Sequence, residues 1–349
     1  MMSVEKLIIG GTEIKKGSTN LIDIDLPDMY QTPAKLPVRV IRGKKEGPIV
    51  FVSAVIHGDE LNGIEIIRRF RKLSILKRLK GTVILVPVVN VYGVITLSRY
   101  LPDRRDLNRS FPGSSRGSLA GRVAKIFFDE IVSKCNFGID LHTAAVHRSN
   151  LPQIRTNIDN EFTLSMAKSF EAPVVLHSEL RDNSLRALGD EKGIPILLYE
   201  AGEALRFNEK AIRIGVKGIV NVLRQNDMLP KTQKKSKKVP IITRNSHWVR
   251  SIESGIIRTI KALGDTVKKD ETIAFVDEAN GDEIFELKSP FDGIIIGKSE
   301  IPLVQEGDAI FHIAKFKNLE SAENKMEYFN TDAIEVSEFS ELEHEDTIE

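Results

Sequence analysis

His57 and Glu60 stand three residues apart in HGDE, where the apolar run PIVFVSAVI at 48 to 56 ends and helix-like spacing begins at Leu61, Ile64, Ile67 and Phe70. At such a strand-to-helix junction one turn aims an imidazole and a carboxylate at the same point, which suits a divalent ion. A catalytic zinc takes three protein ligands of the His/Glu type and keeps one position for water. The third candidate is His142, which ends FGIDLH, with Asp140 on the same strand face two residues earlier and placed to orient it. A further apolar run, IPILLYE, ends in Glu200. A carboxylate closing a buried strand can act as base toward activated water and then as acid toward a leaving amine, the chemistry of acyl–nitrogen hydrolysis. Glu203 competes for that role but falls past Gly202, in a loop position. Asp59 begins as the equal of Glu60 and is reduced to a neighbour, because only the His57–Glu60 spacing combines with His142 and Glu200 on other strand ends. Alone, His-x-x-Glu is a common accident; three strand ends that can converge carry the reading. Finally, PDRRDLNRSFPG at 102 to 113 holds three arginines and an asparagine. Asn108 and Arg109 there suit a substrate carboxylate, which guanidinium grips bidentately.

These side chains need a frame, and the sequence supplies one. Strand-like runs at 48–56, 81–90, 137–142, 172–177 and 194–200 alternate with helix-like stretches at 118–135, 161–170, 184–192 and 208–227. That alternation predicts an α/β domain with a mostly parallel or mixed sheet flanked by helices, whose ligand site lies beyond the carboxyl ends of the strands. The first domain runs over 1–230 and includes an N-terminal β extension. KTQKKSKK ends it as a basic, solvated linker at 231–238. Short β-type runs separated by Gly-Asp turns then make an all-β module over 239–316. From 318 to 349 the chain carries eleven acidic residues and one lysine, so residues 317–349 are expected to be a disordered tail.

Composition narrows the function classes. A hydrophobic fraction of 41% fits a globular protein with a real core, and 50 basic against 49 acidic residues leave no global bias toward nucleic acid or an anionic membrane. Cys135 is the sole cysteine, which excludes an internal disulfide framework and a Cys-rich zinc site. With no run long enough to span a bilayer and no signal-like N-terminus, the expected location is the cytoplasm.

Taken together, HGDE, DLNRSFPG, DLHTA and YEAGE resemble, in order and spacing over residues 48 to 225, the succinylglutamate desuccinylase and aspartoacylase branch of the zinc carboxypeptidase superfamily. The resemblance implies one Zn2+ per subunit on His57, Glu60 and His142, a substrate carboxylate on Asn108 and Arg109, and Glu200 promoting the water. It assigns Arg186, in SLRALG, to substrate binding and an upstream arginine to polarising the carbonyl; Arg99, Arg104 and Arg105 compete, and Arg105 is favoured. Aspartoacylases add a tyrosine from the C-terminal domain, yet residues 239–316 contain none, so contacts from that domain must differ or be absent. The C-terminal module resembles the biotinyl/lipoyl barrel-sandwich fold, but Gly281 or Asp282 stands where carriers place a lysine, so it is not read as a carrier. The resemblance implies that such a module flanks the site mouth, where it can restrict access or support oligomers, so a homo-oligomer is compatible with the sequence. The expected activity is a zinc amidohydrolase, or deacylase, cleaving the amide of an N-acyl amino acid or similar small carboxylate-bearing molecule. A carboxypeptidase acting on short peptides or glutamate-type tails, and a non-catalytic binding protein of the same fold, are the alternatives. Neither nucleic acid nor a membrane is an expected partner.

Overall fold

A computed structural model describes residues 6–232, 239–278, 281, 284–316 and 318–331. A small hairpin, β1 (Ile8–Ile9) and β2 (Thr12–Glu13), precedes the long hairpin of β3 (Thr19–Met29) and β4 (Thr32–Arg42). The α/β core follows: β5 (Lys45–Ala54), α1 (Asn62–Phe70), β6 (Lys80–Val86), α2 (Val91–Ile95), α3 (Leu119–Glu130), β7 (Phe137–His142) and β8 (Arg148–Thr156). It continues with α4 (Glu161–Phe170), β9 (Val174–His177), α5 (Leu185–Glu191), β10 (Ile196–Gly202) and α6 (Glu209–Gln225). Strands β6, β5, β7 and β10 run parallel side by side, while β4 and β8 flank them antiparallel. The sheet is therefore mixed, as the sequence predicts.

Alternation along β5 explains why its sequence reads as unbroken apolar residues. Val50, Val52 and Ala54 pack on one face under α1, α4 and α6, while Phe51 faces the opposite core with Val123 and Phe127 of α3. Both faces are covered, so neither can be polar. Opposite Phe51 in register stands Gly138, where a Cβ would lie 2.1 Å from the phenyl ring.

The C-terminal residues contribute β11 (Ile241–Thr243), β12 (Ser246–Arg250), β13 (Gly255–Thr259), β14 (Thr266–Val267), β15 (Thr272–Asp277), β16 (Ile284–Lys288), β17 (Gly293–Ser299), β18 (Leu303–Val304) and β19 (Ala309–Lys315). Strands β16, β15, β13 and β18 form a separate four-stranded antiparallel sheet over its own apolar core. The other strands of the module join the main sheet. β17 pairs with β8 through Gly297 and Asn150, and β11 lies parallel to β9 with Ile241 opposite Val174. The composition break at 231–238 thus marks a change of texture but no gap in backbone pairing; residues 233–238 themselves lie outside the described part. So does Asp282, one of the two positions considered for a carrier lysine.

The expected disordered tail needs correction over its first part. Leu319–Thr331 forms α7, with Ala322, Met326 and Phe329 buried. Their spacing of four and three residues lines one helix face, which packs near Leu151 and Gly264. An acidic composition hid this apolar stripe. Residues 332–349 lie outside the described part. Among the described residues no helix is long and apolar enough to cross a membrane.

Candidate metal centre and substrate cleft

Strand β5 ends in a backbone turn that sequence patterning does not reveal. Val55, buried and β-branched, adopts φ +57°, a conformation such residues rarely take and one that bends the chain away from the sheet. The turn is held by Asn90, whose backbone N–H donates to Val55 O at 2.9 Å and whose Nδ2 donates to Ile56 O at 3.3 Å. Gly58 lies against Gly93, where a Cβ would come within 2.0 Å of backbone carbon. These contacts fix the direction in which His57 leaves the strand.

His57, Glu60 and His142 come together: one ligand atom from each lies within 4.8 Å of the others, and all three side chains are buried. His57 Nδ1 is 2.7 Å from Glu60 Oε1, and His142 Nδ1 is 2.7 Å from Glu60 Oε2. Each far ring nitrogen has its own carboxylate. Asp140 Oδ2 is 2.7 Å from His142 Nε2, and Asp106 Oδ1 is 3.1 Å from His57 Nε2. Behind them, the Ser53 hydroxyl donates to Asp140 at 2.7 Å. A carboxylate on the outer nitrogen fixes the tautomer and turns the Nδ1 lone pair inward, an arrangement metal-ligating histidines commonly show. Two imidazole nitrogens and a carboxylate form a donor set that suits zinc. Asp59 is buried beside them, and its Oδ1 has no hydrogen-bond partner.

The electrostatics follow from this packing. Burial alone would lower the pKa of both histidines, but Glu60 and Asp106 outweigh it at His57, and Asp140 and Glu60 do so at His142, leaving both raised. Burial would likewise raise Glu60, yet the two imidazoles hold it well below the usual carboxylate range. Entry of a cation must therefore displace protons from this cluster.

Beside the triad opens a cleft of about 320 Å³, and most of the residues singled out from the sequence line it. Glu200 is the register neighbour of His142 across the parallel β7–β10 pair and points into the same space; its Oε2 lies 2.5 Å from Arg155 Nε. Glu203 instead pairs with exposed Arg206 at 3.5 Å. Asn108 accepts the backbone N–H of Leu185 at 3.0 Å, which ties the 106–109 segment to the start of α5. Arg109 lines the cleft with its guanidinium on Asn108 O at 2.5 Å. Arg186 is held by Ser178 Oγ at 3.0 Å and Glu179 O at 3.2 Å, with burial and nearby Arg155 bringing its pKa down to about 10.

Arg105, favoured from the sequence to polarise a carbonyl, does not reach the cleft. Its side chain is 64% exposed and lies 4.0 Å from Asp103, because Arg104 takes a left-handed conformation at φ +61° and the chain swings outward. Arg99 stands at the site instead. Its Nη2 donates to Asp106 at 2.9 Å and its Nη1 to Glu60 at 3.3 Å. Sequence reading also missed Asp106, Arg148, Arg155, Arg181 and Trp248. Asp106 lies inside the DLNR stretch without a role of its own in the motif; Arg148, Arg155 and Trp248 belong to β8 and β12, which carry no continuous apolar run, and Arg181 lies in the loop between β9 and α5.

Two histidines and a glutamate backed by carboxylates, at the strand ends of a mixed α/β sheet, define the class as a metal-dependent hydrolase. The sequence profile described as Succinylglutamate desuccinylase/Aspartoacylase catalytic domain matches residues 46–225, and the chain belongs to that family. Members of this family hydrolyse carbon–nitrogen bonds. An N-alpha-acetyl-L-2,4-diaminobutyric acid deacetylase from Halomonas elongata is 27% identical over 293 residues, covering 80% of this chain and 85% of that one. Among solved structures, the product-bound ectoine utilization protein EutE (DoeB) from Ruegeria pomeroyi superposes with a TM-score of 0.78 at 21% identity, over 87% of this chain and 97% of that one. A succinylglutamate desuccinylase/aspartoacylase from Rhodobacter sphaeroides gives 0.76 at 24% identity, over 87% and 97%. At such identities these likenesses carry the fold.

Proposed function

We propose that the protein is a zinc-dependent deacylase that cleaves the amide bond of an N-acyl amino acid. The observation that carries the reading is the convergence of the His57, Glu60 and His142 donor set, Glu200 and a group of arginines on one cleft. When bound, a zinc ion supplies Lewis acidity and lowers the pKa of adjacent water. Everything else is done by the chain's own residues. Asn108, Arg109 and Arg186 grip the substrate carboxylate and so fix the scissile amide relative to Glu200. Arg99 directs a guanidinium toward the carbonyl oxygen as negative charge develops there. Glu200 takes the proton of the attacking water and returns it to the leaving nitrogen, after which carboxylic acid and amine depart.

Charge favours a substrate whose amino acid portion is anionic. Among the described residues, Arg109, Arg148, Arg181 and Arg186 line the cleft without a carboxylate at ion-pairing distance. The carboxylates that line it are Glu60, held between two imidazoles, and Glu200, paired with Arg155. A second amine, as in diaminobutyrate, would meet no uncommitted acid.

The test is a hydrolysis screen of the zinc-loaded protein across N-acetyl, N-succinyl and N-formyl amino acids and short peptides. Release of amino acid from acylated amino acids is expected. Preferential cleavage of peptides would favour the carboxypeptidase alternative, and inactivity on every compound would favour a binding protein. Glu200→Gln is expected to retain metal and lose about 10²–10⁴-fold in turnover; comparable activity in that variant would remove Glu200 from the mechanism.

A further inference from the structure

The cleft has a wall that the catalytic sequence motifs do not supply. Trp248, on β12, is its one lining residue from the C-terminal module among the described residues. Its register partner on β19 is His312, and the two rings stack with centroids 4.8 Å apart and planes 9° from parallel. The Arg148 guanidinium also lies over the indole, 4.9 Å from its centroid. The indole thus has a stacked imidazole and a guanidinium as its two neighbours. His312 is buried and shares a hydrogen bond of 2.8 Å with Ser246 Oγ, which anchors the inner layer of the stack. Gly297 on β17 leaves room for it: a Cβ there would sit 2.8 Å from Asn150 Oδ1 and 3.6 Å from the indole.

The stack is also tied to the metal-ligand loop. The chain runs from His142 to Arg148 in a short loop, and Glu300 N donates to His147 O at 2.8 Å while Ser299 pairs with Arg148. In sheet order the site runs from β8 through β10, β7 and β5 to the segment after β6 that carries Asn108 and Arg109. Trp248 and Arg148 thus enter the cleft from the β8 side, whereas Asn108 and Arg109 enter from the segment after β6. A rigid aromatic ring stacked on a buried, hydrogen-bonded imidazole yields less readily to a larger group than a Met or Leu would; it selects by exclusion.

We infer that Trp248 is a specificity-determining residue, with the edge of its indole limiting the size of the acyl group beyond the scissile amide. The inference rests on the deacylase reading, with the amino acid carboxylate at Asn108 and Arg109. The chain contains a single tryptophan, so its fluorescence reports directly on this wall.

The test uses the full-length, zinc-loaded protein. In the Glu200→Gln background, N-acetyl-, N-butyryl- and N-benzoyl-L-glutamate are titrated by calorimetry and by tryptophan emission. A saturable emission change is expected on binding of the acetyl and butyryl compounds, with affinity weakest for the benzoyl compound. Calorimetric binding with no emission change would overturn the inference alone; no binding of any compound would overturn it together with the anionic-substrate reading. In the active background, Trp248→Ala is expected to raise the benzoyl-to-acetyl ratio of kcat/KM by about tenfold or more, with Trp248→Phe between it and wild type. An unchanged ratio in a Trp248→Ala variant with wild-type metal content would overturn it.

Discussion

At the metal end of the cleft, His57 and His142 engage both ring nitrogens with carboxylates, whereas farther along Arg109, Arg148, Arg181 and Arg186 face none within ion-pairing distance among the described residues. The first arrangement is complete without a substrate; the second becomes complete only when an anion arrives. On the proposed deacylase reading, the protein holds the groups that do chemistry rigid through internal partners and leaves selectivity to cations whose counter-charge the ligand brings. Glu200 lies between the two regimes, with Arg155 as its partner.

Removing a ligand should break the first region outright. His142→Ala is expected to lose stoichiometric zinc, measured by elemental analysis after dialysis, and with it several kcal/mol of transition-state stabilisation, roughly a thousandfold or more in turnover. Unchanged metal content would refute the ligand set. At the other region, Arg109→Lys keeps the charge but loses the bidentate fork, so KM should rise roughly tenfold to a hundredfold while metal content stays at wild type. Equal loss of metal in both variants would erase the distinction between the two regions.

Asp106→Asn sharpens the comparison, because Asp106 touches His57 from outside. Zinc affinity is expected to fall about 10–100-fold. The pH dependence gives a second readout with a definite sign. Glu60 and Asp106 raise the pKa of His57, so protons compete with metal up to a higher pH, and wild-type affinity weakens as pH falls through that raised value. Without the Asp106 charge the weakening should begin at lower pH, as competition with a chromophoric chelator across a pH series would reveal. The smallest effect is expected outside both regions. Glu65 on α1, hydrogen-bonded to Arg68 and Arg69, has its pKa lowered from 4.5 to about 2, chiefly by Arg68. Its contribution is present above the ordinary carboxylate value and is lost as pH falls toward the lowered one. Glu65→Gln should therefore cost about 1 kcal/mol near neutrality, with the Tm gap to wild type closing between pH 4.5 and about 2.

Much of this site was legible in the sequence because a strand buried on both faces has a distinctive signature, and its end is where chemistry collects. His57, His142 and Glu200 each terminate such a run, and their convergence follows from one parallel sheet. Asp140 was readable for the same reason, being two residues from His142 on one face. Arg99 could not be chosen over Arg105, since the choice depends on a left-handed turn at Arg104 that no residue type announces. Arg155 and Trp248 escaped for a different reason. They belong to strands interrupted by polar residues: Arg155 sits on β8 beside β10, and Trp248 is joined to β8 through the pairing of β12, β19 and β17. The α7 stripe was masked by acidic neighbours on the solvent face.

The pairing of β8 with β17 has one more consequence. A protein cut at the basic linker would not yield a smaller enzyme with an unchanged cleft. The cut would strip β8 of its neighbour along Arg148, Ser149 and Asn150, baring unpaired amide and carbonyl groups a few residues from His142. Such an edge recruits whatever strand it meets, including another copy of itself. A linker that looks like a natural seam for cloning would then be a route to aggregation, and the module behaves less like an appendage than like the last plank that keeps the sheet closed.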